Sequence, residues 1–138
     1  MDRISAEVRP YDQQSAFSDD GVEFVLNPSA DRHVIYHFYA NSNGSWVDSR
    51  AVKYGKRPPL PDYSWNSGAK VEAKRRKDGW SVRFEIPISS LGEMKSRFPA
   101  NFCRDRVVKG VEGASGFYSW CPFLREFREV DQFSFVEP

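Results

Sequence analysis

Cysteine, histidine and methionine are scarce in this chain, with two of each in 138 residues. Cys103 and Cys121 lack metal-site spacing. His33 and His37 stand four apart, which on a strand separates them by about 13 Å along one face. That does not suit joint ligation, and each reads as a surface or interfacial histidine. No apolar run approaches the ~20 residues of a membrane helix. No apolar stretch follows Met1-Asp2-Arg3, so no secretory leader is legible. Charge of one sign is also missing: 20 Lys and Arg face 19 Asp and Glu, a formal net of +1. That balance gives no electrostatic footprint for nucleic acid. The one basic run, Lys74-Arg75-Arg76-Lys77, falls at a hairpin tip and reads as a solvated turn. A sustained 3.6-residue period is absent, apart from one helical turn expected at 91–97. Internal repeats and low-complexity tracts are absent too.

Aromatic residues are abundant: 11 Phe, 6 Tyr and 4 Trp. They favour strands, and 21 of them exceed what a small core needs, so some are expected as exposed platforms. The length predicts one domain over residues 1–138. Period-two alternation predicts strands at 4–9, 21–26, 33–40, 46–52, 70–77, 80–86, 100–107, 116–122 and 132–136. Asn43-Gly44 predicts a hairpin turn. Pro58, Pro59 and Pro61 predict an irregular loop over 53–64. Many short strands between regular turn signals predict an all-β antiparallel sandwich. Cys103 and Cys121 flank the Gly-rich segment 109–116. Facing each other across a hairpin they could form a disulfide; otherwise they are buried thiols acting as small hydrophobes.

The densest pattern is Asp78-Gly79-Trp80-Ser81-Val82-Arg83-Phe84-Glu85-Ile86-Pro87-Ile88-Ser89-Ser90-Leu91-Gly92. Asp-Gly favours a type I′ turn. Trp80, Val82, Phe84 and Ile86 then share one face, and Pro87 ends the ladder. A two-residue turn would set Val71 opposite Ile86 and Ala73 opposite Phe84. This stretch resembles the signature of carbohydrate-binding family 9-like β-sandwich domains, related to DOMON-like domains. Four further segments resemble that family in the right order: residues 18–28 (its DD-x-VE strand), 36–48 (its Y-x-F-x-x-N-x-x-G turn), Asn101-Phe102-Cys103-Arg104, and Ser119-Trp120-Cys121-Pro122. Together they cover roughly residues 17–136. Members of the family carry one or two further strands before the one expected at 4–9. The chain is therefore expected to be a reduced sandwich of jelly-roll or immunoglobulin-like type, or a piece of a larger protein. An open edge there would invite pairing with a second copy or with parent-protein domains.

The resemblance implies non-catalytic saccharide binding, as an appendage of a carbohydrate-active bacterial protein working outside the cell or in the periplasm. Sugar rings present C–H faces that stack on aromatics, and hydroxyls that need Arg, Asn or carboxylate partners. By position Trp120 matches the family's downstream aromatic, Arg104 an arginine of its site, and Asn41 its turn asparagine. Trp46, Tyr39 and Trp65 compete as the upstream aromatic. Each has a plain structural alternative; Arg104, for instance, could pair with Asp105 or Asp131. The resemblance also implies a structural calcium ion near Asp19, Asp20 and Glu23, since a loop entering a strand can offer several oxygens. The alternative there is an acidic turn bonded to its own backbone. A catalytic carboxylate pair cannot be picked out, because 19 acidic residues offer many candidates. A protein-interaction sandwich with a degenerate sugar site is the other reading.

Overall fold

The computed structural model describes residues 6–8, 10–57 and 59–137. They form an all-β protein of two antiparallel sheets, with three short 3-10 turns and no α-helix among the described residues. The strands are β1 (Gly21–Leu26), β2 (Val34–Asn41), β3 (Trp46–Val52), β4 (Leu60–Asp62), β5 (Lys70–Arg75), β6 (Trp80–Glu85), β7 (Phe98–Arg106), β8 (Gly116–Ser119) and β9 (Ser134–Val136). The large sheet runs β4-β3-β2-β1-β7-β8, and β9 pairs with β7 beyond the end of β8. The small sheet is the β5-β6 hairpin.

Alternation decides which residues meet. Val22, Phe24 and Leu26 of β1 share a face with Tyr36 and Phe38 of β2, and this face receives Phe84 and Ile86 from the hairpin. Phe38 is fully buried, stacked on Phe24 at 5.0 Å and met edge-on by Phe84 at 6.2 Å. Burying one such side chain stabilises the fold by about 1.5–3 kcal/mol. The opposite face is closed at one end by Val25, Ile35 and Ala51 under Val130 and Phe133. At the other end Ala16, Tyr39 and Val47 pack together with Phe17 and Tyr63. Gly21 is required where it stands: a Cβ there would lie 2.2 Å from the hydroxyl of fully buried Tyr39.

The structure refines several expectations. Of the strand predicted at 4–9, residues 4, 5 and 9 lie outside the described residues, and residues 6–8 are not strand. The proline-rich loop contains β4, whose Pro61 pairs with Ala51. Proline is tolerated there because β4 is an edge strand. The hairpin register is shifted by two: Val71 opposes Phe84 and Ala73 opposes Val82. A shift of two preserves the faces, and Arg76–Gly79 forms a four-residue loop closed by the Arg76 amide donating to the Gly79 carbonyl at 2.7 Å. Helical winding appears at Ile88–Leu91, as one 3-10 turn, and not over 91–97. Cys103 and Cys121 are both buried free thiols. The Cys121 sulfur accepts from the Ser134 amide at 3.1 Å.

Candidate functional site

The face of the large sheet opposite the hairpin carries a cavity of about 370 Å³. Its floor comes from adjacent strands: Glu23 of β1, His37 of β2 and Asp105 of β7. All three are buried, at 7, 6 and 4 % exposure. They sit on the same side as apolar Val25 and Ile35, so they interrupt an otherwise apolar face. His37 Nε2 pairs with Glu23 Oε2. Burial, and next the neighbouring Glu23 carboxyl, push the Asp105 carboxyl up to about 8.

Aromatic rings flank this floor on both sides. Phe17 stacks on the His37 ring at 5.6 Å and 11°, with Tyr63 at its edge 6.3 Å away. Burial is also the main cause that raises the Tyr63 phenol. On the other side Phe117, carried by β8, meets Phe127 at 6.3 Å, and Phe123 meets Phe127 at 4.8 Å. The rim, Arg125 to Arg128, lies on an irregular segment that is fastened down. The Glu129 carboxylate accepts the Leu124 and Arg125 amides at 2.7 Å each. Arg128 donates to Glu126 Oε2 at 2.7 Å. Among the described residues, four buried side-chain oxygens have no hydrogen-bond partner, and two of them line this cavity: Asp105 Oδ1 and Glu126 Oε1. A buried acceptor left unsatisfied costs about 1–3 kcal/mol, so the cavity can gain from a ligand that brings donors. A larger depression of about 740 Å³ beside β3 and β4, lined by Arg50, Tyr54 and Arg57 among others, holds none of these four oxygens.

The residues singled out from the motifs are distributed otherwise. Trp120 and Arg104 lie on the hairpin side of the sheet. Trp120 is 53 % exposed and 5.7 Å from Phe102. The Arg104 guanidinium sits 5.2 Å over Trp80, and it donates to Asp20 Oδ1 at 2.6 Å, to the Gly21 carbonyl at 2.8 Å and to the Asp105 carbonyl at 2.7 Å. Its ion-pair partner is therefore Asp20, and neither Asp105 nor Asp131. Trp65 is half-buried against Tyr36 and Phe38, and Trp46 is half-buried against Tyr11 at 4.4 Å. Tyr39 is fully buried and donates to the Asp19 carbonyl at 2.9 Å, so no ring face is open to a sugar. Asn41 is fully buried as well. Its amide donates to the Glu7 carbonyl and to Asp19, and its oxygen accepts the Asn43 and Ser45 amides. It holds the β2-β3 turn and does not reach the surface. None of these six residues lines the cavity.

The acidic cluster does not fit a calcium ion. Asp20 spends both oxygens on Arg104 and the Val107 amide. Asp19 Oδ2 accepts from Asn41 and the Glu7 amide. Glu23 turns to His37 in the cavity floor. A guanidinium bonded to the acidic turn would repel a cation, and no group of three or more His, Cys, Asp or Glu converges as a metal site among the described residues. His37, expected at a surface or an interface, is buried in the floor. Sequence pattern does not single out Phe17, Tyr63 or the 123–128 segment, and it offers Asp105 only as a partner for Arg104. The signal available was a titratable residue at each of three core-facing strand positions.

No protein-family model and no curated protein matches the chain. Among solved structures, the fold is similar to the crystal structure of "a putative carbohydrate-binding protein" from Bacteroides uniformis ATCC 8492, with a TM-score of 0.69 and 18% sequence identity. The match covers 97% of this chain and 67% of that one. At this identity the likeness establishes the shared fold.

Proposed function

We propose that this protein is a non-catalytic saccharide-binding module, and that the cavity over Glu23, His37 and Asp105 is its binding site. The observation that carries the reading is the arrangement of the cavity: a buried floor rich in oxygen acceptors between two groups of aromatic rings. A pyranose ring can lie between such walls with its hydroxyls directed at the floor. The likeness to the Bacteroides uniformis protein supports the same ligand class. Glu23 lies close enough to Asp105 to raise its carboxyl, and is itself paired with His37. Such a module would act where polysaccharide is met, outside the cell or in the periplasm, keeping a tethered partner near its substrate.

Isothermal titration calorimetry against mono- and oligosaccharides tests the reading. A saturable signal is expected for one glycan class. Phe117→Ala removes an exposed wall ring and is expected to weaken binding about tenfold, the equivalent of 1.4 kcal/mol. Trp120→Ala, on the other side of the sheet, is expected to leave affinity unchanged. Loss of affinity in Trp120→Ala with none in Phe117→Ala would transfer the site to the hairpin side.

A further inference from the structure

The floor and the rim of the cavity leave acceptors, not donors, in want of partners. Asp105 Oδ1, on a side chain 4 % exposed, receives no hydrogen bond from the protein. Glu126 Oε1 is in the same condition, its other oxygen being held by Arg128. The two come from different parts of the lining: Asp105 from the sheet, Glu126 from the fastened 123–128 segment. A third carboxyl group, Glu23, stands beside Asp105 and is already paired with His37. The cationic groups of the lining do not serve these oxygens. Arg128 is occupied by Glu126 Oε2, and Arg125 is an exposed residue of the rim.

Two orphaned acceptors on carboxyl groups define what a ligand must bring. Each needs a hydroxyl or an ammonium donor. A ligand carboxylate would bring no donor to either oxygen and, although Asp105 is neutral at pH 7, would add like charge beside the acidic side chains of Glu23 and Glu126 in a poorly solvated place. We infer that the cavity is selective for a sugar unit whose buried edge carries two hydrogen-bond donors and no acidic group, with Asp105 and Glu126 as the specificity-determining acceptors. This rests on the saccharide reading above and narrows it to neutral or amino sugars against uronic acids.

The test is calorimetry at pH 7 with the neutral, 2-amino and uronic acid forms of glucose, galactose and mannose. For whichever hexose binds, the uronic acid form is expected to bind at least tenfold more weakly. Preference for the amino form would identify one donor as ammonium, and preference for the neutral form would identify hydroxyls; either supports the inference. Asp105→Asn and Glu126→Gln each keep the shape and replace an acceptor oxygen by an amide. Each is expected to weaken the neutral sugar about tenfold and to narrow the gap to the uronic acid. Thermal melts show whether either variant fails to fold, and the partly exposed Glu126 keeps the test open if Asp105→Asn does. Equal or tighter binding of the uronic form, or unchanged affinity in both folded variants, overturns this inference and leaves saccharide binding standing. Silence from every sugar in the panel overturns both.

Discussion

Replacing Arg104 by methionine separates a structural arginine from a sugar-reading one. The guanidinium makes three short contacts with the protein, and its charged partner Asp20 is fully buried. Removing the cation leaves that carboxylate with only the Val107 amide, a neutral donor at 3.2 Å. Breaking a buried ion pair from one side costs about 3–5 kcal/mol, because the remaining charge is stranded. Arg104 itself retains 30 % exposure, so water can partly replace it and the lower end, about 3 kcal/mol, applies. Urea denaturation followed by tryptophan fluorescence would read this directly. With an m-value of about 1–3 kcal/mol per molar, the midpoint should fall by roughly 1–3 M. Adding Asp20→Asn removes the stranded charge while keeping an oxygen for the Val107 amide. The double variant should recover a large part of the loss, with a coupling energy of about 2 kcal/mol or more. An Arg104→Met variant within about 0.5 kcal/mol of the parent would refute the reasoning, since that is the range of ordinary surface changes. So would a double variant no more stable than the single.

Two further outcomes follow from the buried ionisable groups. Asp105 holds its proton up to about 8, above its ordinary value, so between pH 4 and about 8 the folded state binds a proton that the unfolded state has released. Stability due to this group is therefore full below pH 4 and falls as pH rises, by up to about 1.4 kcal/mol per unit; denaturation curves across pH 5–8 should show the slope in the parent and lose it in Asp105→Asn, and an identical slope in both would reject the assignment. Burial pushes the Cys103 thiol up to about 12, so at pH 8 neither it nor buried Cys121 should react with a thiol reagent in the native protein, while two should titrate in denaturant; rapid native labelling of Cys103 would contradict its enclosure.

The central strands were legible because their residues alternate without interruption. Strand β1 matches the sequence expectation to the residue, and β2 and β3 follow from alternation together with the Asn43-Gly44 turn, whose glycine has φ +83°. What failed was information that local pattern does not contain. Gly79 does not adopt the positive φ that a two-residue turn requires, so the chain closes the hairpin with four residues and slides the register by two. Pro61 argued for a loop, but only the position of β4 at the sheet edge makes a proline strand permissible. The 123–129 segment has no period at all, and its fixed shape depends on the Glu129 carboxylate holding two amides.

The proposed site was hidden for a related reason. Trp120 and Arg104 were chosen by motif, yet both sit at strand positions that face the hairpin: Arg104 pairs across with Val22, and the Trp120 amide bonds to the carbonyl of Phe102. Parity alone separates the two faces. Val22, Phe24, Phe102 and Arg104 share one side; Glu23, Val25, Cys103 and Asp105 share the other. On that second side the carboxylates of Glu23 and Asp105 have no reason to occupy a core-facing position unless something polar comes to meet them. His37 satisfies Glu23. What remains, the Asp105 oxygen facing a cavity walled by phenylalanine and tyrosine, required knowing that β1 lies between β2 and β7. That long-range order brings residues 23, 37 and 105 together, and no short stretch of the sequence records it.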